Sequence, residues 1–397
     1  MKKLLVCCAA LFMTAAAVFA VDIAASVYIP GTLAAGTGDG RKITGYTATE
    51  DSQEDPDTLV FRMDGENYGA YFSMYAKLGG DWDNGTAAKI RKWNLWFKPV
   101  NELKVTLGVV EQDLYIEQLH WWKDGVGANA EGTVSWNLRY SAATGVRGGG
   151  FNLKYTPFPA LTIELGAAPW FGNPLWTYDK DSDEEFTYAA WGTTVKYQIN
   201  DTFSCGIAWR DAGSDGTTKP DDYEMDPSDD YYKIFTLGVD MSTPEFYGFI
   251  QPRTMFNQYY GYEGTTIDNY FKYQPDSPWT FEARVPFTYR LEESGEDDPS
   301  YLIYELRAKY ALNSVLSPFL MLSNDATDDL YTPLCFGTEA DGDSFADTFT
   351  IDVYPGAAIK IGNCQIETGF IFYTVPKSDG ENYSWAWQIP FSALVTF

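Results

Sequence analysis

Between residues 67 and 397 one pattern returns many times: apolar and polar side chains alternating with period two over about ten residues. Successive side chains of an extended chain point to opposite faces, so each such segment has one apolar and one polar face. The stretch Trp279 to Arg290 is typical. Its odd positions are Trp279, Phe281, Ala283, Val285, Phe287 and Tyr289; its even positions are Thr280, Glu282, Arg284, Pro286, Thr288 and Arg290. Comparable segments fall at 67–79, 88–98, 102–110, 149–156, 161–169, 187–198, 203–210, 230–241, 246–256, 266–273, 279–290, 300–311, 315–323, 348–361, 364–375 and 384–397. That pattern predicts about sixteen strands, and 22–29 with 58–64 would raise the number to eighteen.

The connections sort into two kinds. Phe97-Lys98-Pro99-Val100-Asn101-Glu102-Leu103 is echoed by Tyr155-Thr156-Pro157-Phe158-Pro159-Ala160-Leu161, and both predict hairpins with short turns. Looser copies run from Tyr197 through Asn200 to Phe203 and from Tyr310 through Asn313 to Leu316. The intervening connections are long and acidic, at 50–57, 179–185, 211–230, 292–298, 324–329 and 339–347, and read as solvated loops. Segment 133–140 also alternates, but counting it as a wall strand would move the Pro157 turn to the wrong end. The region 111–148 is therefore read as one long excursion and as the candidate for an inward-folded extracellular loop.

Residues 1–20 begin with Lys2 and Lys3, continue through an apolar run and end at Val18-Phe19-Ala20, which fits a signal peptide cleaved after Ala20. No later segment approaches the roughly 18 consecutive apolar residues of a spanning helix. Residues 21–397 then form a single β domain, and an aromatic share of 17% matches the two interfacial girdles of a membrane barrel. After Ala20 there are 26 basic residues against 55 acidic ones, a net charge of −29, which argues against nucleic acid as a partner. Cys205, Cys335 and Cys364 are too few and odd in number for a disulfide framework, and Cys205 is expected to face lipid.

The chain ends on an unbroken alternate series: Trp385, Trp387, Ile389, Phe391, Ala393, Val395 and Phe397. This series resembles the C-terminal assembly signal of bacterial outer-membrane β-barrel proteins of the porin type. The resemblance implies an all-β, transmembrane, antiparallel up-and-down barrel in the outer membrane, with short periplasmic turns and long extracellular loops. It also implies recognition of Trp387, Ile389, Phe391, Val395 and Phe397 by the barrel assembly machinery, contact with outer-membrane lipid, and passage of small hydrophilic solutes. It leaves a homotrimer open.

Candidate chemistry is sparse. His120 lies in an aromatic stretch with no serine or acid at a usable spacing, so no catalytic role is assigned and the chain is not read as an enzyme. Asp179, Asp181 and Asp183 have the opening of a calcium loop but lack its glycine and its twelfth-position carboxylate, leaving only loose metal binding. No cofactor motif is present. The polar faces are more informative: Lys92, Lys104, Lys154, Lys196, Arg210, Glu282, Arg284, Arg290, Glu305, Arg307 and Lys309 are predicted to line a pore whose wall is basic on balance. The predicted function is passive diffusion through a porin-like channel; the alternative is a surface adhesin or ligand-binding protein mounted on a barrel.

Overall fold

The computed structural model describes residues 22–37, 42–47, 59–76, 88–112, 114–115, 147–170, 190–212, 232–257, 261–290, 300–302, 304–323, 334–336, 351–375 and 384–397. Twenty-three strand segments run through them: β1 (Asp22–Thr37), β2 (Lys42–Thr47), β3 (Leu59–Asp64), β4 (Tyr68–Ala76), β5 (Ala88–Val100), β6 (Leu103–Glu111), β7 (Arg147–Phe158) and β8 (Leu161–Trp170). There follow β9 (Ala190–Gln198), β10 (Phe203–Ala212), β11 (Tyr232–Ser242), β12 (Phe246–Asn257), β13 (Gly261–Tyr273), β14 (Trp279–Arg284), β15 (Phe287–Arg290) and β16 (Ser300–Leu302). The last are β17 (Glu305–Tyr310), β18 (Leu316–Ser323), β19 (Leu334–Phe336), β20 (Asp352–Ile361), β21 (Cys364–Gly369), β22 (Ile371–Val375) and β23 (Ser384–Thr396).

Five pairs of segments, β2 with β3, β14 with β15, β16 with β17, β18 with β19 and β21 with β22, are halves of single wall strands, which makes eighteen strands. All pairings are antiparallel, and β1 closes the sheet on β23 from Ser26↔Thr396 to Thr37↔Ala386. At the seam the Phe397 N–H donates to the Ala25 carbonyl at 2.7 Å, so the last residue completes the ring. A closed ring leaves no unpaired sheet edge, the condition for a β structure in lipid.

The sequence repeat has a structural counterpart. Register slips between Phe97 and Val100 on β5, and between Tyr155 and Phe158 on β7, at equivalent points of the two hairpins. The looser copies share a different turn. Asn200 Oδ1 accepts from the backbone N–H groups of Thr202 and Phe203, and Asn313 Oδ1 accepts from those of Val315 and Leu316. These asparagines hold the turn with their own side chains.

Three corrections concern strand bounds. Segment 279–290 is not one ladder: Pro286 has no N–H to give, and β14 and β15 are separated at Val285-Pro286. The strand expected at 266–273 begins five residues earlier, at Gly261, and β1 continues past Ile29 to Thr37. Segment 133–140 and the six acidic blocks, apart from a few strand-end residues, lie outside the described residues.

Candidate functional site

The two faces of the wall differ in chemistry. On β10 the side chains of Phe203, Ile207 and Trp209 are exposed on the outside, while Ala208 and Arg210 are buried on the inside. On β5, Trp93, Leu95 and Phe97 are outward and exposed, and Asn94, Trp96 and Lys98 occupy the alternate positions. Cys205 and Cys364 are free thiols; Cys205 lies between Phe203 and Ile207 on the outward face.

From the end of β6 the chain turns away from the wall. Gln112 and Leu114 are fully buried and Tyr115 nearly so. Gln112 Nε2 donates to Asn152 Oδ1 on β7, and Asn152 Nδ2 donates to Glu164 Oε2 on β8. Further along, the Tyr115 carbonyl accepts from Gln251 Nε2 on β12 at 3.0 Å, so this short segment reaches across the inner surface from β7 to β12. It fits because Gly206 and Gly238 are register partners on neighbouring strands and both face inward. A Cβ on Gly206 would stand 2.4 Å from Leu114 Cδ1, and one on Gly238 would stand 2.7 Å from Leu114 Cδ2 and from Tyr115 Cε2. Only a paired absence of side chains lets Leu114 approach the backbone so closely.

Tyr115 is held by three interactions. Its ring stacks on Phe249 with centroids 5.8 Å apart, and the Lys196 ammonium lies 5.0 Å from the ring centroid. Its hydroxyl is 2.8 Å from Ser204 Oγ, whose proton goes to the Asp240 carboxylate, which makes the phenol the donor to Ser204. Burial pushes the Tyr115 phenol above its ordinary range, the Ser204 hydrogen bond opposes this and the Asp240 charge adds to it. The hydroxyl therefore stays a donor throughout the physiological range.

From Tyr115 an arc of rings and ion pairs continues around one side of the interior. Phe249 packs on Tyr270, whose hydroxyl donates to Glu282. Arg307 lies between Glu282 at 3.9 Å and Glu367 at 3.3 Å, with its guanidinium 4.5 Å from the Phe319 ring centroid. Phe319 meets Tyr354 edge-on at 5.0 Å; Phe319 lies over Gly356 and Tyr354 over Gly369, a second pair of inward glycines in register. A parallel ion pair joins Arg284 to Asp268 at 3.1 Å, and Asp268 also accepts from Gln251. Both members are almost wholly buried, at 4% and 1% side-chain exposure. A charge removed from water this completely is held only with its partner.

The opposite side is more open and more basic. Lys98 and Lys104 lie over the Trp96 ring at 5.8 and 4.5 Å, and Lys104 pairs in register with Lys154. The Lys154 side chain keeps 46% of its surface exposed while it reaches Glu164 at 3.2 Å. An open cavity of about 260 Å³ near the short-turn end is lined by Thr162, Lys196, Gln198, Thr202, Ser204 and Asp240, among others.

No protein-family model and no curated protein matches this sequence. Solved structures do. Pseudomonas aeruginosa OccK11 (OpdR) covers 95% of this chain over 96% of its own, with a TM-score of 0.52 and 7% identity. Acinetobacter baumannii OccAB4 gives 0.52 at 8% identity over 95% and 98%, and the outer membrane protein OpdK of Pseudomonas aeruginosa gives 0.50 at 8% over 95% and 99%. This chain has their fold. The match extends over 95% of this chain, so the likeness is to the fold as a whole, while identity this low carries no residue across.

Of the side chains expected on the polar face, Lys104, Lys154, Lys196, Arg210, Glu282, Arg284, Glu305, Arg307 and Lys309 stand at the positions alternate to the outward apolar residues. Lys92 pairs in register with Ser73 and Arg290 with Gly264; their side chains are outside the described residues. So are His120 and the trio Asp179, Asp181 and Asp183, and no group of metal-binding side chains occurs among the described residues. Among the described residues, two buried interior charges escaped the sequence reading, Asp268 and Arg253. Asp268 follows Thr266 and precedes Tyr270 at period two, a signal that was present but obscured by aromatic residues on both faces of β13.

Proposed function

We propose that this chain is an outer-membrane channel for passive diffusion of small hydrophilic solutes, with Lys104, Lys154 and Lys196 among the side chains lining its path. The observation that carries this reading is the closed eighteen-strand wall with exposed apolar residues outside and charged residues inside. Barrels of about 16 to 18 strands are wide enough to hold an aqueous channel. The likeness to the outer membrane protein OpdK supports the location. Gln112, Leu114 and Tyr115 support an inward course for the excursion that begins at Glu111. On this reading, residues 1–20 direct export and the assembly machinery handles Trp387, Ile389, Phe391, Val395 and Phe397.

Planar-bilayer recording of the purified protein tests the proposal. Discrete conductance steps are expected. A protein that inserts as a folded barrel and never conducts would favour a surface-binding role instead.

A further inference from the structure

We infer that a neutral sugar ring binds just inside the short-turn mouth of the barrel, in the cavity of about 260 Å³ that Lys196, Gln198, Ser204 and Asp240 help to line. The inference rests on the channel reading above and names a class of solute for it. Strand pairing assembles the site from four neighbouring strands. Thr162 on β8 stands opposite Lys196 on β9, Gln198 opposite Ser204 on β10, and Ser204 opposite Asp240 on β11. Thr202 and Ser242 add two hydroxyls nearer the rim, where the Ser242 N–H donates to the Thr202 carbonyl. The volume lies below the roughly 300–1,000 Å³ of sites for drug-sized ligands and suits a single ring.

The polar groups of this cavity are uncommitted, whereas many others on the inner surface are spent on each other. Gln112 bonds to Asn152 and Asn152 to Glu164, while Arg284 is paired with Asp268 and Arg307 with Glu367. Among the described residues, the side chains of Thr162, Gln198, Thr202 and Ser242 have no hydrogen-bond partner. Ser204 donates to one oxygen of Asp240 and so leaves the other for a ligand. The carboxylate accepts, and the Gln198 amide and the hydroxyls both donate and accept, which matches sugar hydroxyls that do both. Charge disfavours an ion. Asp240 and Asp201 line the cavity beside Lys196, so an ion of either sign meets a like charge as well as an opposite one. A neutral ring meets no such opposition, and an open site of this kind holds it weakly enough to let it leave.

The full-length protein in planar bilayers tests the assignment, with folding checked by heat-modifiable migration. Glucose is expected to reduce the ion current with a half-effect in the millimolar range. A polyethylene glycol of equal mass, which accepts hydrogen bonds but hardly donates them, is expected to reduce it far less. Gln198→Ala combined with Asp240→Asn should weaken the glucose effect about tenfold, each variant being read against its own open-channel current. Gly149→Ala, where an added Cβ meets nothing within 4 Å, should keep the wild-type response. Three results would each overturn the sugar site while leaving the channel reading intact: equal reduction by glucose and the polymer, an unchanged glucose effect in the folded double variant, or a stronger effect of glycine betaine than of glucose. Saturation-transfer NMR of glucose on the detergent-solubilised protein separates the two readings further. A protein that never conducts, yet shows transfer that the double variant loses, would keep the sugar site and remove the channel.

Discussion

Asn269 and Val285 are joined by two hydrogen bonds across the wall: the Asn269 side-chain amide donates to the Val285 carbonyl at 2.6 Å, and its oxygen accepts from the Val285 N–H at 2.9 Å. Asn269 stands at an outward position of β13, between Ile267 and Phe271, where lipid would otherwise be met by an apolar residue. It substitutes for ladder bonds lost where Pro286 divides β14 from β15.

Replacing Asn269 with leucine should therefore destabilise the barrel even though leucine is the more lipophilic residue. It strands one backbone donor and one acceptor, each worth about 1–3 kcal/mol when buried without a partner, and no water is at hand to replace them. A lowered urea midpoint in lipid vesicles is the expected result. Equal midpoints for Asn269→Leu and the wild type would show that Val285 finds other partners.

Arg307 invites a double-mutant cycle. Arg307→Met takes the guanidinium away from the buried Glu367, and breaking a buried pair from one side costs about 3–5 kcal/mol. Adding Glu367→Gln should restore part of that loss. The same unfolding assay reads the coupling, and strictly additive losses would mean that the two side chains do not stabilise each other in the folded barrel.

Phe397 separates assembly from stability. Its backbone closes the ring on Ala25, but the residue is 73% exposed. Phe397→Asp should refold from urea into detergent almost as the wild type does and yet be depleted from the outer membrane of cells. Normal surface levels in cells would remove the C-terminal series as an assembly signal.

Ion selectivity should follow the exposed cations rather than the buried ones. Arg284 and Arg307 are paired with carboxylates, whereas Lys154 retains much of its surface and adjoins Lys104 in register. The acidic blocks, expected from the sequence in solvated connections, would act through water, where a Debye length of about 8 Å at physiological salt mutes them. Weak anion preference or near neutrality is expected at moderate salt, drifting toward cations on dilution. Lys154→Gln should move the zero-current potential toward cation preference, and a value identical to wild type would place Lys154 away from the path.

Much of this architecture is legible in the alternation alone. Trp93, Leu95 and Phe97 against Asn94, Trp96 and Lys98 already distinguish outside from inside, and the seam at Phe397 could be anticipated from the terminal series. Period two cannot tell which face meets lipid where both carry rings. Phe319, Leu320, Met321 and Leu322 form a continuous apolar run, and only burial shows that Phe319 and Met321 point inward while Leu320 is exposed outside. The seat of Leu114 was illegible for another reason: it depends on two glycines 32 residues apart that only strand pairing brings side by side. The role of Asn269 likewise arises from a proline on a different strand.

The matching register slips at Phe97/Val100 and Tyr155/Phe158 bear on how such a wall changes its width. A hairpin that begins and ends at the same rim can be copied or deleted without moving either chain terminus to the other side of the membrane. Circumference then changes by two strands at a time, and diameter follows strand number roughly in proportion. Duplication supplies only coarse steps in calibre. Finer adjustment falls to the inward side chains, which single substitutions can trim without rebuilding the ring.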